Sequence, residues 1–210
     1  MLKAVLIIVL TLFFACNIYA QTNTTSIKSK SHNKLTGDFW IDYFAIKHNP
    51  YKDSIDGKPV KFYLDHPKVA PIAKNFYKGK YRPSDNDSTS LLLSLCLTNN
   101  AEIRPFYRWC LNATIEIADG ALSEYPGEPA LNYVIKYPKE FFGYMDKDKS
   151  GIRYKNWVQI IAYSGLPSYN NITFVKKYIV TRLTANCSNC TITYKHKIQK
   201  LATDVSKALN

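Results

Sequence analysis

The clearest periodic pattern in the chain is an apolar stripe that runs from Ile103 to Tyr125. Its members recur at steps of three and four residues, which places them on one face of a helix. An almost unbroken apolar run at residues 91–97 precedes it, and a polar corner at residues 98–100 separates the two. This order predicts a helical hairpin at the centre of the fold. The stripe consists of Ile103, Phe106, Tyr107, Cys110, Leu111, Thr114, Ala118, Ala121, Leu122 and Tyr125.

Shorter stripes with the same spacing occupy most of the remaining chain after Pro67. The alternation from Val60 to Leu64 instead predicts one short strand near the N-terminus. Only 8 glycines occur and alternating segments are few, which argues against a sandwich or a barrel. The sequence therefore predicts a mostly α fold, a compact multi-helix domain of stacked helical hairpins with one short strand allowed near its start.

The first twenty residues have the features of a secretory signal peptide. A basic start at Lys3 leads into an apolar run, and the small residue Ala20 precedes Gln21. We expect cleavage after Ala20, with lipid attachment at Cys16 of a bacterial lipoprotein as the alternative. Residues 21–36 are polar and predict a disordered tether, and residues 37–210 predict a single helical domain. The mature protein is therefore expected in an exported compartment, as a periplasmic or secreted protein of a bacterial envelope.

Charge is distributed unevenly along the chain. The 28 lysines and arginines exceed the 16 acidic residues and give a formal net charge of +12. No Asp or Glu occurs between Lys149 and Thr203, whereas acids and bases nearly balance from Gly37 to Asp148. Such asymmetry favours an acidic macromolecular partner, although basic residues also serve simply as a solvated surface.

The preferred hypothesis is an exported, non-catalytic binding module that engages an envelope macromolecule, either a protein or an anionic polymer. An immunity or inhibitor protein that neutralises a toxin in the same compartment is a specific version of it. Nucleic acid is not an expected partner in an exported compartment. The candidate binding residues are Lys176, Lys177, Arg182, Lys195, Lys197 and Lys200.

Four cysteines follow the signal segment: Cys96, Cys110, Cys187 and Cys190. An even number in an oxidising compartment predicts two disulfides, and the local pairing across each turn is the simplest of three connectivities. The Cys187–Cys190 spacing also occurs in thiol-redox and zinc sites. A zinc site needs a second ligand pair, and only His196 is near.

Catalysis is the weaker alternative. The best carboxylate cluster is Glu116, Asp119, Glu124 and Glu128, and an envelope hydrolase acting on cell-wall polymer needs only two well-placed carboxylates. The histidines are scattered, and we expect no cofactor. Arg104 and Arg108 flank Phe106 and Tyr107, so they bind an anion or cover the rim of an aromatic core.

One loop resembles the first half of an EF-hand calcium site. Asp146, Asp148 and Ser150 hold the first, third and fifth positions, and Gly151 holds the sixth. Position twelve, where the EF-hand has a bidentate Glu, is Trp157. The loop therefore predicts a turn between helices, with no metal.

Overall fold

A tight β-hairpin opens the part of the chain that is placed continuously. The computed structural model describes residues 37, 38, 40, 53–166 and 171–209. Strand β1, Ser54–Ile55, pairs antiparallel with strand β2, Lys58–Pro59. The turn between them has positive φ at Asp56 (51°) and Gly57 (82°). The signal peptide, the tether and most of the Phe39–Phe44 aromatic segment lie outside the described residues.

The short strand is present, but the expected position at Val60–Leu64 is wrong. Residues Val60–Asp65 form helix α1, in which Val60 and Tyr63 are buried three positions apart. The Val60 amide donates to the carbonyl of Asp53 (3.0 Å), which couples the start of the helix to the hairpin. The strand partner lies only a two-residue turn away, so pairing is completed before Val60 and the following residues coil.

Helices account for most of the described residues, which confirms the mostly α prediction. Within the described ranges, eight helices follow α1 in chain order. They are α2 Pro71–Tyr77, α3 Asp87–Ser94, α4 Arg104–Ile117, α5 Gly127–Lys136, α6 Pro138–Asp146, α7 Ile152–Ile160, α8 Ile172–Ala185 and α9 Ile192–Ala208. Two 3₁₀ segments, Leu95–Leu97 and Gly120–Glu124, and a π-helical turn, Ile161–Gly165, connect them.

Helix α4 is the centre of the core, although it is shorter than the apolar stripe suggests. It ends at Ile117, because the chain turns extended at Ala118 and adopts positive φ at Gly120 (46°). The last three residues of the predicted stripe, Ala121, Leu122 and Tyr125, therefore lie beyond the helix. The apolar spacing continues past Ile117, but the helix does not, because the turn at Gly120 ends it.

Aromatic side chains from both halves of the chain contact α4. Phe106 stacks on Tyr63 and Trp109 near its start, with ring centroids 5.2 and 6.0 Å apart. Further along, the Trp157 indole of α7 donates to Asn112 Oδ1 (2.9 Å). This hydrogen bond satisfies both polar groups inside the core, as burial requires. Helix α4 thereby connects the N-terminal helices to the C-terminal ones.

Helices α8 and α9 form a hairpin that packs against α5, α7 and α6. The Asn171 side chain accepts from the amides of Thr173 and Phe174, and Thr191 caps α9 in the same way at Tyr194. Such caps satisfy amides that have no partner within the helix. Val175, Ile179 and Leu183 form the buried face of α8. On α9 the buried positions are Ile198, Leu201, Ala202, Val205 and Ser206.

Candidate functional site

The six predicted binding residues all lie on the α8–α9 hairpin, but they do not share one face. On α8, Lys176 and Arg182 each lie three positions from buried Ile179, about 60° to either side of it at 100° per residue. Lys177 lies about 160° from Ile179 and faces outward. Tyr178, on the same side as Arg182, lines a hollow with Glu128 and Asn132 of α5. Arg182 is therefore on the α5 edge of the helix, and Lys176 is on the opposite edge.

On α9 the lysines separate in a similar way. Lys195 and Lys197 are two positions apart and so lie about 160° from each other. Lys197 donates to Asp146 Oδ1 at the end of α6 (2.7 Å), whereas Lys195 lies on the edge away from α6 and is exposed. Lys200 pairs with Asp204 and lies 4.7 Å from the centroid of the Tyr154 ring. Two of the six predicted residues are therefore engaged within the domain.

The other four predicted binding residues form no ion pair within the part of the chain that the structure describes. Lys176, Lys177, Arg182 and Lys195 are exposed, and none pairs with an acidic group of the described residues. Ile192, one turn before Lys195 at the start of α9, is 73% exposed. We call Lys176, Lys177 and Lys195 the outer lysines, because they are exposed to solvent on the hairpin. Exposed cations without an internal carboxylate partner are suited to contact with an acidic macromolecule.

The two arginines at the start of α4 are buried and paired. Arg104 donates from Nε to Glu140 Oε2 (2.9 Å), and its guanidinium lies 3.9 Å from the centroid of the Tyr137 ring. Arg108 donates to Asp56 Oδ2 (2.8 Å) and stacks on Tyr144 at 4.1 Å. Each arginine thus has a carboxylate and an aromatic ring as partners. The sequence allowed these arginines either to bind an anion or to cover the rim of an aromatic core. The structure supports the second interpretation, because each guanidinium lies on an aromatic ring and pairs with a carboxylate.

Asp56, in the turn of the β-hairpin, forms ion pairs with both Arg108 and Lys147. Burial acts to raise the pKa of Asp56, but hydrogen bonds and charge from Lys147 and Arg108 hold it below its ordinary value. Lys147 Nζ donates to the second carboxylate oxygen (2.6 Å). The Asp56 carboxylate is therefore ionised at neutral pH and bridges two cations.

A cavity of about 300 Å³ lies beside this cluster. The turn after α3, the first turns of α4, and α6 enclose it together with Asp56. Sequence reasoning missed it, because its members are distant in the chain and none carries a recognisable motif. Its lining is Asp56, Ala101, Pro105, Arg108, Glu140, Gly143, Tyr144 and Lys147.

The candidate catalytic carboxylates are on the surface. Glu116 accepts from Asn112 Nδ2 (2.7 Å) at the end of α4. Asp119 lines one shallow hollow with Arg82 and Leu122, while Glu128 lines two others beside Asn132. All four candidates, including Glu124, are exposed. Each of these three hollows contains only one of the four carboxylates.

Of the two predicted disulfides, one is present. Cys187 and Cys190 are bonded across the turn between α8 and α9, and Cys187 is buried. The predicted Cys96–Cys110 bridge is wrong, because both are free thiols within the core. Cys96 lies in the 3₁₀ segment after α3, and its Sγ faces the carbonyl of Pro129 at 3.8 Å. Burial raises the pKa of Cys96 to about 12 and that of Cys110 well above its ordinary value, so neither is a reactive thiolate.

The loop that resembles half an EF-hand is a structural turn. Asp148 accepts from the amides of Ser150 (3.1 Å) and Arg153 (2.9 Å), and Gly151 has positive φ (69°) just before α7. The other carboxylate, Asp146, pairs with Lys197. Across the described ranges, no group of three or more His, Cys, Asp or Glu side chains is arranged to hold a metal ion.

Within the described part of the chain, no helix has the length and apolar character that crossing a bilayer requires. Comparison of the chain with protein-family models, with curated proteins and with solved structures finds no match. The functional argument therefore rests on the geometry and charge of the chain itself.

Proposed function

We propose that this chain is an exported, non-catalytic binding module that engages an acidic macromolecule of the bacterial envelope through the outer lysines of the α8–α9 hairpin. The carrying observation is that Lys176, Lys177 and Lys195 are exposed and unpaired on a segment without a single acidic neighbour in sequence. In contrast, Arg104, Arg108 and Lys147 all have carboxylate partners. Unpaired like charges repel each other, so an acidic partner lowers their electrostatic energy.

A protein partner is favoured over a simple polyanion because the surface is not purely charged. Ile192 is exposed one turn before Lys195, and Ile172 and Phe174 are exposed at the start of α8, close in sequence to Lys176 and Lys177. Protein interfaces combine a buried apolar anchor with a charged rim. An immunity or inhibitor protein is a specific version of this proposal, since it acts by covering the surface of another protein and needs no catalytic group.

Stepwise salt elution tests the proposal. The chain from Gln21 onward is immobilised, exposed to envelope extract at low salt and washed with increasing salt. We expect a discrete partner to bind at about 0.05 M salt and to leave before about 1 M, where charge interactions are screened within roughly 3 Å. A partner that stays bound at 1 M salt would contradict a contact made chiefly by the outer lysines.

A further inference from the structure

We propose that the cavity beside Asp56 is a binding site for a small zwitterion of the α-amino acid class. Two carboxylates, an ammonium group and the Arg108 guanidinium line this cavity, and the rest of its wall is Ala101, Pro105, Gly143 and Tyr144. A volume of about 300 Å³ is at the lower end of the range of small-molecule sites. This site is separate from the outer lysines and does not depend on the partner that they bind.

Gly143 is the first sign that the cavity is a built feature. It lies inside helix α6, where glycine destabilises the helix relative to alanine. A Cβ added at Gly143 would meet no atom within 4 Å, so no packing contact demands glycine there. In contrast, a Cβ at Gly165 would lie 2.5 Å from the carbonyl oxygen of Gly127. Gly143 therefore leaves space open above α6, and that space is the cavity.

The charged groups at the cavity match both ends of an amino acid. Glu140 is held by Arg104, and Asp56 is held by Arg108, so both carboxylates are fixed in place. These carboxylates are the partners for a ligand ammonium. Lys147 is 63% exposed and pairs with Asp56 Oδ1, so a zwitterion inserted between them would offer its carboxylate to Lys147 and its ammonium group to Asp56. A ligand with only one charge would leave half of these groups without a new partner.

The buried Arg108 has a polar atom that the described residues leave without a partner. Asp56, which pairs with it, has positive φ (51°) as the two-residue Asp56–Gly57 hairpin turn requires, so the turn explains the backbone of Asp56 but not the buried charge of Arg108. Arg108 is buried, and its Nε has no hydrogen-bond partner among the described residues, whereas Nε of Arg104 has one. An apolar residue at this depth commonly gives equal or greater stability, so the charge suggests a function.

Calorimetric titration of the folded chain with free amino acids tests the proposal. The probes are glycine, L-alanine, L-glutamate and L-lysine, with propionate and ethylammonium as single-charge analogues of alanine. We expect one-to-one binding of at least one amino acid, and single-charge analogues at least roughly tenfold weaker, because each loses a charged hydrogen bond. The Lys147→Met variant should weaken amino acid binding by about tenfold without weakening ethylammonium binding, because Asp56 remains available to an ammonium group.

Two substitutions at Gly143 separate the cavity from the fold. Gly143→Leu should abolish binding because its side chain fills the cavity, while thermal unfolding confirms that the helix is intact or more stable. Gly143→Ala is the matched control and should retain binding. The proposal is overturned if no amino acid binds at about 10 mM, well above the roughly 1 mM Kd of a weak site. Equal binding of propionate and alanine, or unchanged binding by folded Gly143→Leu, would also overturn it.

Discussion

The start of α4 and the α8–α9 hairpin are both rich in positive charge, yet they use it in opposite ways. Arg104 and Arg108 are buried, and each meets a carboxylate and an aromatic ring. The outer lysines are exposed and meet no acidic group of the described domain. Positive charge in a sequence therefore does not identify a binding surface by itself. The availability of an internal partner distinguishes a structural cation from one that is free to bind another molecule.

The largest expected effect comes from breaking the buried pair at the hairpin turn. Asp56→Ala should lower the free energy of unfolding by about 3 kcal/mol, because it leaves the Arg108 guanidinium buried without its carboxylate. Urea denaturation measures the change. Asp56→Asn is the control, since asparagine retains an acceptor oxygen and tolerates positive φ, and its loss should be smaller. A loss below about 0.5 kcal/mol for Asp56→Ala would show that Arg108 does not depend on this pair.

The next largest effect should come from the disulfide of the hairpin. Replacing Cys187 and Cys190 together by serine should lower the free energy of unfolding by about 2 kcal/mol, because the short loop regains conformational freedom when unfolded. A reductant should lower the stability of the parent chain to that of the variant and leave the variant unchanged.

Counting thiols in the unfolded, unreduced chain checks the same assignment directly. The chain from Gln21 should show two reactive thiols, those of Cys96 and Cys110. A count of zero would restore the second disulfide that the sequence suggested.

Acid should weaken the buried cluster before it affects the outer lysines. The folded pKa of Asp56 is below its ordinary value of about 3.9, so the unfolded chain binds the proton first as pH falls. The stabilisation from Asp56 is therefore fully present above about pH 4 and is lost as pH falls through the folded pKa. Unfolding measured between about pH 5 and pH 2 should show a shallower loss for Asp56→Asn than for the parent chain. Identical profiles would contradict a depressed pKa at Asp56.

The smallest effect on stability should come from the outer lysines themselves. Reversing Lys176, Lys177 and Lys195 to Glu should change the free energy of unfolding by less than about 0.5 kcal/mol, because exposed unpaired charges contribute little. Reversing Lys197 instead should cost about 1 kcal/mol, since it removes the pair with Asp146 and places two carboxylates together. Thermal or urea unfolding distinguishes the two variants. An equal loss in both would mean that the outer lysines also have partners within the domain.

The sequence was sufficient for the helical architecture because apolar spacing is a local property. The buried positions Phe106, Cys110 and Thr114 of α4 follow the predicted stripe. The end of that helix was not predictable from spacing, since it depends on the positive φ of Gly120. The strand was misplaced for a similar reason, because alternation from Val60 onward also fits a short helix with two buried positions.

The candidate site was only partly predictable, because pairing is decided by distant residues. Lys197 and Lys195 look equivalent in sequence, but Asp146 reaches only Lys197. No local sequence pattern indicates that Glu140 pairs with Arg104, or that Asp56 pairs with Lys147, 91 positions later. The cysteine pairing failed in the same way, because apparent opposition across a corner does not bring Cys96 and Cys110 into a bond.

The most direct test of the binding proposal is capture by a chain whose outer lysines are reversed. The Lys176→Glu, Lys177→Glu, Lys195→Glu variant is compared with a matched variant in which exposed Lys68, Lys78 and Lys80 are reversed to Glu. Both variants change the net charge equally, so the comparison isolates position from total charge. We expect partner capture to be lost in the first variant and retained in the second, with both chains folded. Equal capture by both variants would contradict the assignment of function to the α8–α9 hairpin.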